Sequence, residues 1–186
     1  MELSACPVCK NQSLVFSSTT TEIPYFGKIL ILSLKCESCG FKHNDVLNLE
    51  IKDPLSYRIE IEEEKDLTAK VVRASSGTII IPELGVKIEP GSQAEGFITN
   101  VEGVLERIER VLKSQIEVQK DKKLEKVKEL LEKIGKMREG KEKFTLILKD
   151  PFGNSAIISP KAKKRKLSEK ELKKLKTGMV ILELKK

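Results

Sequence analysis

Cys6-Pro7-Val8-Cys9 and Cys36-Glu37-Ser38-Cys39 are the stretches that decide the fold of the N-terminal part of this 186-residue chain. They contain all four of its cysteines. A C-x2-C pair places two thiolates on one tight turn, and a second pair brought opposite completes the four soft ligands that tetrahedral zinc prefers. Because four cysteine ligands leave no open coordination position, we expect one structural Zn²⁺ ion and not a catalytic one.

Two disulfides or a redox pair are the alternatives for these cysteines. The spacing within each pair would close very short disulfide loops, and residues 1–5 do not resemble a secretory signal. The sole histidine, His43, is expected to be solvated or hydrogen-bonded, since four cysteines already complete a zinc site. Gly40 directly follows the second pair, where it can take a left-handed conformation without steric cost.

The residues between the cysteine pairs predict two strands, over residues 14–20 and 28–35. Two strands that carry cysteine turns at their far ends form a zinc ribbon. Their connection contains Ile23, Tyr25 and Phe26, which are large apolar groups that a small ribbon can hardly bury. We therefore expect these three side chains either to pack on the next domain or to contact a partner.

After the ribbon, the sequence predicts a compact β domain. Tyr57, Ile59 and Ile61 alternate with charged residues, which is the period of a half-buried strand. Further strand-like stretches cover residues 70–73, 78–81, 86–88, 144–148 and 156–159. Strands this short and this close together favour a barrel or sandwich. Residues 150–155 are expected to form a tight turn in which Asp150 and Asn154 bond backbone N–H groups.

An antiparallel helical hairpin interrupts this pattern. Apolar residues recur every three or four positions over residues 101–119 and 124–137, with Thr99 or Asn100 as the expected N-cap. We thus expect a mainly β fold with an α insertion: a zinc ribbon in residues 1–47, a β domain in residues 48–160 with the hairpin at about 100–140, and a C-terminal segment in residues 161–186.

The C-terminal segment carries the excess charge of the chain. Residues 161–186 hold eleven Lys or Arg against three Asp or Glu, a charge of +8, whereas residues 1–160 hold 24 against 25. We expect a basic linker over residues 161–166, a helix over 169–176 with Ser168 and Glu171 as a capping box, and a strand over 179–184 after Gly178. A basic tail gives nonspecific affinity for nucleic acid.

Composition also bears on the class of function. No apolar run is long enough to cross a membrane, so we expect a soluble, cytoplasmic protein. We also expect it to be a monomer. One histidine, no GxxxxGK[ST] loop and a closed metal site offer little for acid–base or phosphoryl-transfer chemistry. The sequence therefore indicates a binding protein and not an enzyme.

The chain resembles the ZPR-one zinc-finger family in its single-module archaeal form. The shared residues are the two cysteine pairs with Gly40-Phe41, Ile23-Pro24-Tyr25-Phe26, Asp66-Leu67, Val71-Val72, Ile81-Pro82-Glu83-Leu84, Val101-Glu102-Gly103-Val104-Leu105 and Asp150-Pro151-Phe152-Gly153-Asn154-Ser155. The resemblance implies a zinc ribbon followed by a double-stranded β-helix, a barrel-like domain, with an inserted helical hairpin.

The resemblance also implies a partner. Eukaryotic members of the family carry two modules, bind translation elongation factor one-alpha and act in its folding. The family usually has arginine where Lys42 stands, and lysine keeps the charge but loses the planar two-pronged donor. We expect a protein that binds this GTP-binding factor through Ile23, Tyr25, Phe26 and Lys42. A nucleic-acid-binding ribbon protein of transcription or translation is the alternative.

Overall fold

The structure is a computed structural model, and it describes residues 4–24, 27–50, 52–91, 94–116 and 121–177. The chain divides into two compact units, Met1–Ile51 and Lys52–Lys186. Both cysteine pairs lie in the first unit. The expected strand over residues 179–184 and Gly178 lie outside the described residues.

The first unit is an antiparallel sheet with strand order β1-β2-β3-β4. Its strands are β1 (Ser4–Ala5), β2 (Gln12–Ile23), β3 (Gly27–Cys36) and β4 (Lys42–Asn48). The two expected ribbon strands are confirmed as β2 and β3, which pair from Leu14 opposite Cys36 to Ile23 opposite Gly27. The cysteine turns therefore lie at one end of the ribbon, and the pair Ile23 and Gly27 lies at the other.

The second unit contains two antiparallel sheets. The larger has the order β12-β5-β10-β7-β8 and the smaller β11-β6-β9. The strands are β5 (Leu55–Ile61), β6 (Lys70–Arg73), β7 (Thr78–Ile81), β8 (Val86–Ile88), β9 (Phe97–Asn100), β10 (Phe144–Asp150), β11 (Ala156–Ile158) and β12 (Lys163–Lys166). The expected barrel-like β domain is confirmed, and β9 and β12 are strands that the sequence pattern did not reveal.

The helical hairpin is confirmed as α1 (Val101–Ile116) and α2 (Asp121–Arg138). The N-cap is Asn100, whose side-chain oxygen accepts the Gly103 N–H at 2.8 Å. Arg138 at the end of α2 pairs with Glu102 at the start of α1 at 2.9 Å, as an antiparallel arrangement requires. The apolar faces of the two helices and of both sheets pack together in one hydrophobic core. The helical members of this core include Val101, Val104, Leu105, Ile108, Ile134 and Met137.

The turn after β10 is built around the fully buried carboxylate of Asp150. Its Oδ1 accepts the Phe152 N–H at 2.9 Å and the Ser76 hydroxyl at 2.7 Å. Its Oδ2 accepts the Asn154 N–H at 2.9 Å and the Ser155 hydroxyl at 2.6 Å. The expected role of Asp150 in a tight turn is confirmed, and the same carboxylate also holds the β6–β7 turn through Ser76.

The expected basic linker over residues 161–166 is wrong. Lys163–Lys166 is the edge strand β12, which pairs antiparallel with β5 from Lys163 opposite Arg58 to Lys166 opposite Leu55. The following helix, α3, is shorter than expected and covers Glu169–Leu172, with Ser168 and Glu171 forming the capping box. Four consecutive cations carry no apolar signal for a strand, so only the pairing with β5 defines it.

Glu171 joins α3 to two strands. Its carboxylate accepts two bonds from the Arg165 guanidinium, both at 2.7 Å, and one from Lys149 Nζ at 2.6 Å. Arg165 and Lys149 together hold the pKa of the Glu171 carboxyl well below its ordinary value. Since the folded-state pKa lies below the unfolded one, this stabilisation is present above the unfolded pKa and is lost as the pH falls through the folded one.

We expect Glu171→Gln to lower the free energy of unfolding of the second unit by about 2 kcal/mol at pH 7, because charge-assisted hydrogen bonds are lost. The difference between the variant and the wild type should shrink as the pH falls below the unfolded-state pKa of the Glu171 carboxyl. Urea unfolding between pH 7 and pH 2 measures both effects. Glu106→Gln, which breaks the exposed Glu106–Arg110 pair, is the control and should change little. A constant difference across this pH range would contradict the assignment.

Within the part of the chain that the structure describes, none of the helices combines the length and apolar character that a membrane crossing requires.

Candidate metal centre

Two similar backbone turns present the four cysteines. In the first turn the Lys10 N–H donates to the Cys6 carbonyl at 3.0 Å, and in the second the Gly40 N–H donates to the Cys36 carbonyl at 3.0 Å. Gly40 has φ +74°, which confirms the left-handed conformation expected there, and Lys10 takes the matching conformation with φ +63°. The first turn therefore contains a non-glycine residue in a conformation that favours glycine.

The four thiols converge at one point. The sulfur atoms of Cys6, Cys9, Cys36 and Cys39 all lie within 4.8 Å of one another. The separation is 3.7 Å between Cys6 and Cys39 and 3.6 Å between Cys9 and Cys36. Tetrahedral zinc with Zn–S bonds of about 2.3 Å requires sulfur atoms about 3.8 Å apart. The cluster therefore suits one zinc ion, which these four sulfurs would enclose completely.

The cysteines are free thiols, so the alternative of disulfides is not observed. Their mutual contacts also explain why a cation is needed. The Phe41 N–H lowers the pKa of Cys39, but desolvation and the neighbouring thiols Cys36, Cys9 and Cys6 together outweigh it and raise the pKa. A zinc ion would remove this penalty, because it neutralises thiolates that cannot otherwise ionise together.

Ser13 is a member of the site that the sequence analysis missed. Its hydroxyl lies 3.1 Å from the Cys36 sulfur and, with the Cys39 N–H, lowers the pKa of Cys36. Ser13 lies on β2 and Cys36 ends β3, so only the strand pairing brings them together. No local pattern around a serine signals such a contact.

The residues expected to contact a partner do not gather at the metal. Ile23 is half-buried at the far end of β2, about 30 Å along the strands from the cysteine turns. Tyr25 and Phe26 lie outside the described residues. Lys42 is exposed at the start of β4, next to the second cysteine turn and opposite Lys35. His43 is exposed on β4 and is not part of the sulfur cluster.

Paired substitutions in the two turns should have opposite effects. We expect Gly40→Ala to weaken zinc binding by about 1–2 kcal/mol, because open space surrounds Gly40 and the left-handed backbone is the only obstacle to a side chain. Lys10→Gly should strengthen binding by about 0.5 kcal/mol, since part of the relief is offset by unfolded-chain entropy. Competition with a chromophoric chelator measures both, and changes of the same sign would contradict the two conformations.

Comparison with known proteins places these features in one family. The ZPR1 zinc-finger domain matches residues 1–50 and the ZPR1 jelly-roll domain matches residues 65–180. A ZPR1-like protein of Methanocaldococcus jannaschii is 49% identical over 183 residues, which cover 96% of this chain and 91% of the relative. A ZPR1-like protein of Pyrococcus horikoshii is 44% identical over 187 residues, which cover 98% and 84%.

Eukaryotic relatives are longer. The "Zinc finger chaperone zpr1" of Schizosaccharomyces pombe is 32% identical over 142 residues, which cover 74% of this chain but 30% of that protein. This chain thus corresponds to about a third of its eukaryotic relatives. With one four-cysteine ribbon and one double-sheet β domain that contains a helical hairpin, the chain belongs to the ZPR1 family and has one zinc-finger domain and one jelly-roll domain.

Proposed function

We propose that the protein binds translation elongation factor one-alpha and assists its folding, with the zinc ion fixing the ribbon as a contact surface. The observation that carries this proposal is family membership, together with the name "zinc finger chaperone" of the fission-yeast relative. A closed four-sulfur centre fits such a role because it shapes a surface and offers no coordination position for a substrate.

The ribbon exposes apolar groups of the kind that a protein contact would cover. Val8, between the first two cysteines, is 64% exposed, and Phe16 on β2 is 55% exposed. Lys42 adds an exposed cation near the second cysteine turn. We include Ile23, Tyr25 and Phe26 in the proposed contact because large apolar groups in a short connection are suited to a partner.

Affinity capture from the source cells tests this proposal. Tagged, zinc-loaded protein should retain elongation factor one-alpha after nuclease treatment and a moderate-salt wash, because apolar contacts are insensitive to screening. Tyr25→Ala with Phe26→Ala should reduce recovery, whereas the exposed substitution Lys126→Ala on α2 should not. Loss of the factor under every condition would reject the proposal.

Nucleic acid is the second candidate, and the exposed cations of β12 favour it. Four tail cations, two of them in β12, already face carboxylates: the pairs are Lys161–Asp66 at 2.8 Å, Arg165–Glu171 at 2.7 Å, Lys166–Asp53 at 2.7 Å and Lys176–Glu89 at 2.8 Å. These contacts reduce the charge that the tail can offer to phosphates. The observation therefore ranks nucleic acid below the elongation factor.

A truncation after residue 160 would delete β12 and is not a clean test of the second candidate. Lys163→Gln with Lys164→Gln removes two exposed charges and leaves the strand backbone in place. If nucleic acid were the ligand, this variant would bind RNA more weakly and with a shallower salt dependence. Under the first proposal its capture of the elongation factor is unchanged.

A further inference from the structure

Among the described residues, the outer edge of β2 is a long strand edge without the usual protection. β1 covers it only at Gln12 and Leu14, and no other described strand pairs with it on that side. The run from Val15 to Thr21, Val-Phe-Ser-Ser-Thr-Thr-Thr, contains no charge and no proline. Natural sheets usually protect such an edge with lysine, proline or a very short strand, because its free N–H and C=O groups attract other strands.

Other edges in the described part of the chain are protected. β12 consists of four exposed cations, β4 contains Lys42, and β8 contains Lys87. The uncharged edge strands β9 and β11 are only four and three residues long. The exposed edge of β2, about 23 Å over seven residues, is thus an exception within this chain.

Hydrogen bonds near the cysteine turns identify which residues face the free edge. The Ser13 carbonyl accepts the Glu37 N–H between β2 and β3, so the backbone N–H and C=O groups of Ser13 point toward β3. The backbone groups of successive residues point alternately to the two sides of a strand. The N–H and C=O groups of Phe16, Ser18 and Thr20 therefore point away from β3, toward the outer edge. Their N–H and C=O groups form the row that an added strand would bond.

The side chains beside this row indicate the kind of segment that fits. Phe16, Ser18 and Thr20 lie opposite Leu34, Leu32 and Leu30 of β3, and these three leucines are half-buried on the same face. An added strand would place every second side chain beside Phe16, Ser18 and Thr20, on the face that carries the β3 leucines one strand further in. We propose that the β2 edge binds an extended, uncharged segment of another protein, with apolar side chains at alternate positions, by β-strand addition.

A second copy of the chain fits this edge less well. Antiparallel self-pairing centred on Ser18 would place each Phe16 ring opposite a Thr20 side chain, so neither exposed ring would meet an apolar group. Self-pairing centred on Phe16 would need the part of the edge that β1 occupies at Gln12 and Leu14. A different segment can place an apolar residue opposite Phe16 without either restriction.

A peptide probe tests the inference without the elongation factor, so its failure and that of the proposed function are separate results. The probe is a fluorescein-labelled peptide that alternates threonine and leucine, with a lysine at each end. Its binding to the zinc-loaded full chain is measured by fluorescence anisotropy. The same peptide with a central proline should not bind, because proline interrupts strand pairing.

Ser18→Pro with Thr20→Pro removes two outward N–H donors without removing a β2–β3 hydrogen bond, and proline is tolerated on this side of an edge strand. We expect it to weaken peptide binding about tenfold or more. Ser18→Ala with Thr20→Ala keeps the donors and should bind within about twofold. Zinc content and circular dichroism measure whether the proline variant is folded.

Equal binding of both peptides, or of the folded proline variant and the wild type, would overturn the inference. A dimer of the wild-type chain in sedimentation equilibrium that the proline variant loses would also overturn it, since the edge would then hold a second copy. If the proline variant does not fold, the two peptides on the wild-type protein decide the question.

Discussion

Asp150→Ala is expected to lower the free energy of unfolding of the second unit by about 3–5 kcal/mol, since removal of a buried charged partner leaves several groups unsatisfied. The carboxylate accepts four hydrogen bonds from the turn residues 152–155 and from Ser76. Three of the donor residues, Ser76, Asn154 and Ser155, are buried, so their donors would be left without a partner. Arg73, a residue that is 5% exposed, would also lose a favourable interaction with the Asp150 charge.

Urea unfolding at pH 7 measures this effect, with two further substitutions for comparison. Asp150→Asn keeps the volume but aims an amide donor at other donors, so it should lose most of the same stability. Asp53→Ala breaks an ion pair whose side chains are 75% and 81% exposed and should change stability little. A loss below about 1 kcal/mol for Asp150→Ala would contradict the role assigned to the carboxylate.

Removal of zinc is expected to unfold the first unit and leave the second folded. Among the side chains described in residues 4–50, the buried apolar ones are Cys6, Ile29 and Cys36. So small a core cannot hold the ribbon, whereas a structural zinc ion contributes roughly 10–16 kcal/mol at pH 7. The buried members of the core cluster in the second unit lie within residues 59–157, outside the ribbon, so we expect this core not to need the metal.

Amide exchange by NMR resolves the two units after chelation. Protection should disappear in β2 and β3 and persist in β10 and α1. Cys36→Ala should behave like the chelated protein, whereas Ser38→Ala, in the same turn, keeps the four sulfurs and should resemble the wild type. A ribbon that stays protected without zinc, or a second unit that unfolds with it, would contradict this account.

The sequence predicted elements whose signal is local. The cysteine spacing identified the metal cluster, and the two periods identified β2, β3, β5 and the helical hairpin. β12 was missed because its four cations have no apolar face. β4 and β9 were missed because their strand character comes from pairing with β3 and β6 and not from a local sequence pattern.

The metal site likewise combines features that the sequence predicted with features that it did not. The four ligand candidates follow from spacing, but the Ser13 hydroxyl reaches Cys36 only through the β2–β3 register. The left-handed conformation at Gly40 was readable because glycine favours it, whereas at Lys10 the residue type gives no such signal. Contacts that depend on strand register, or that oppose local preference, required the structure.

The most direct test of the proposed function is a calorimetric titration of the zinc-loaded full chain with purified elongation factor one-alpha from the same source. We predict a saturable one-to-one complex at moderate salt that is lost after chelation and restored by zinc, because the ribbon exists as a surface only with the metal bound. No binding by the zinc-loaded protein, or equal binding by the metal-free protein, would contradict the proposal.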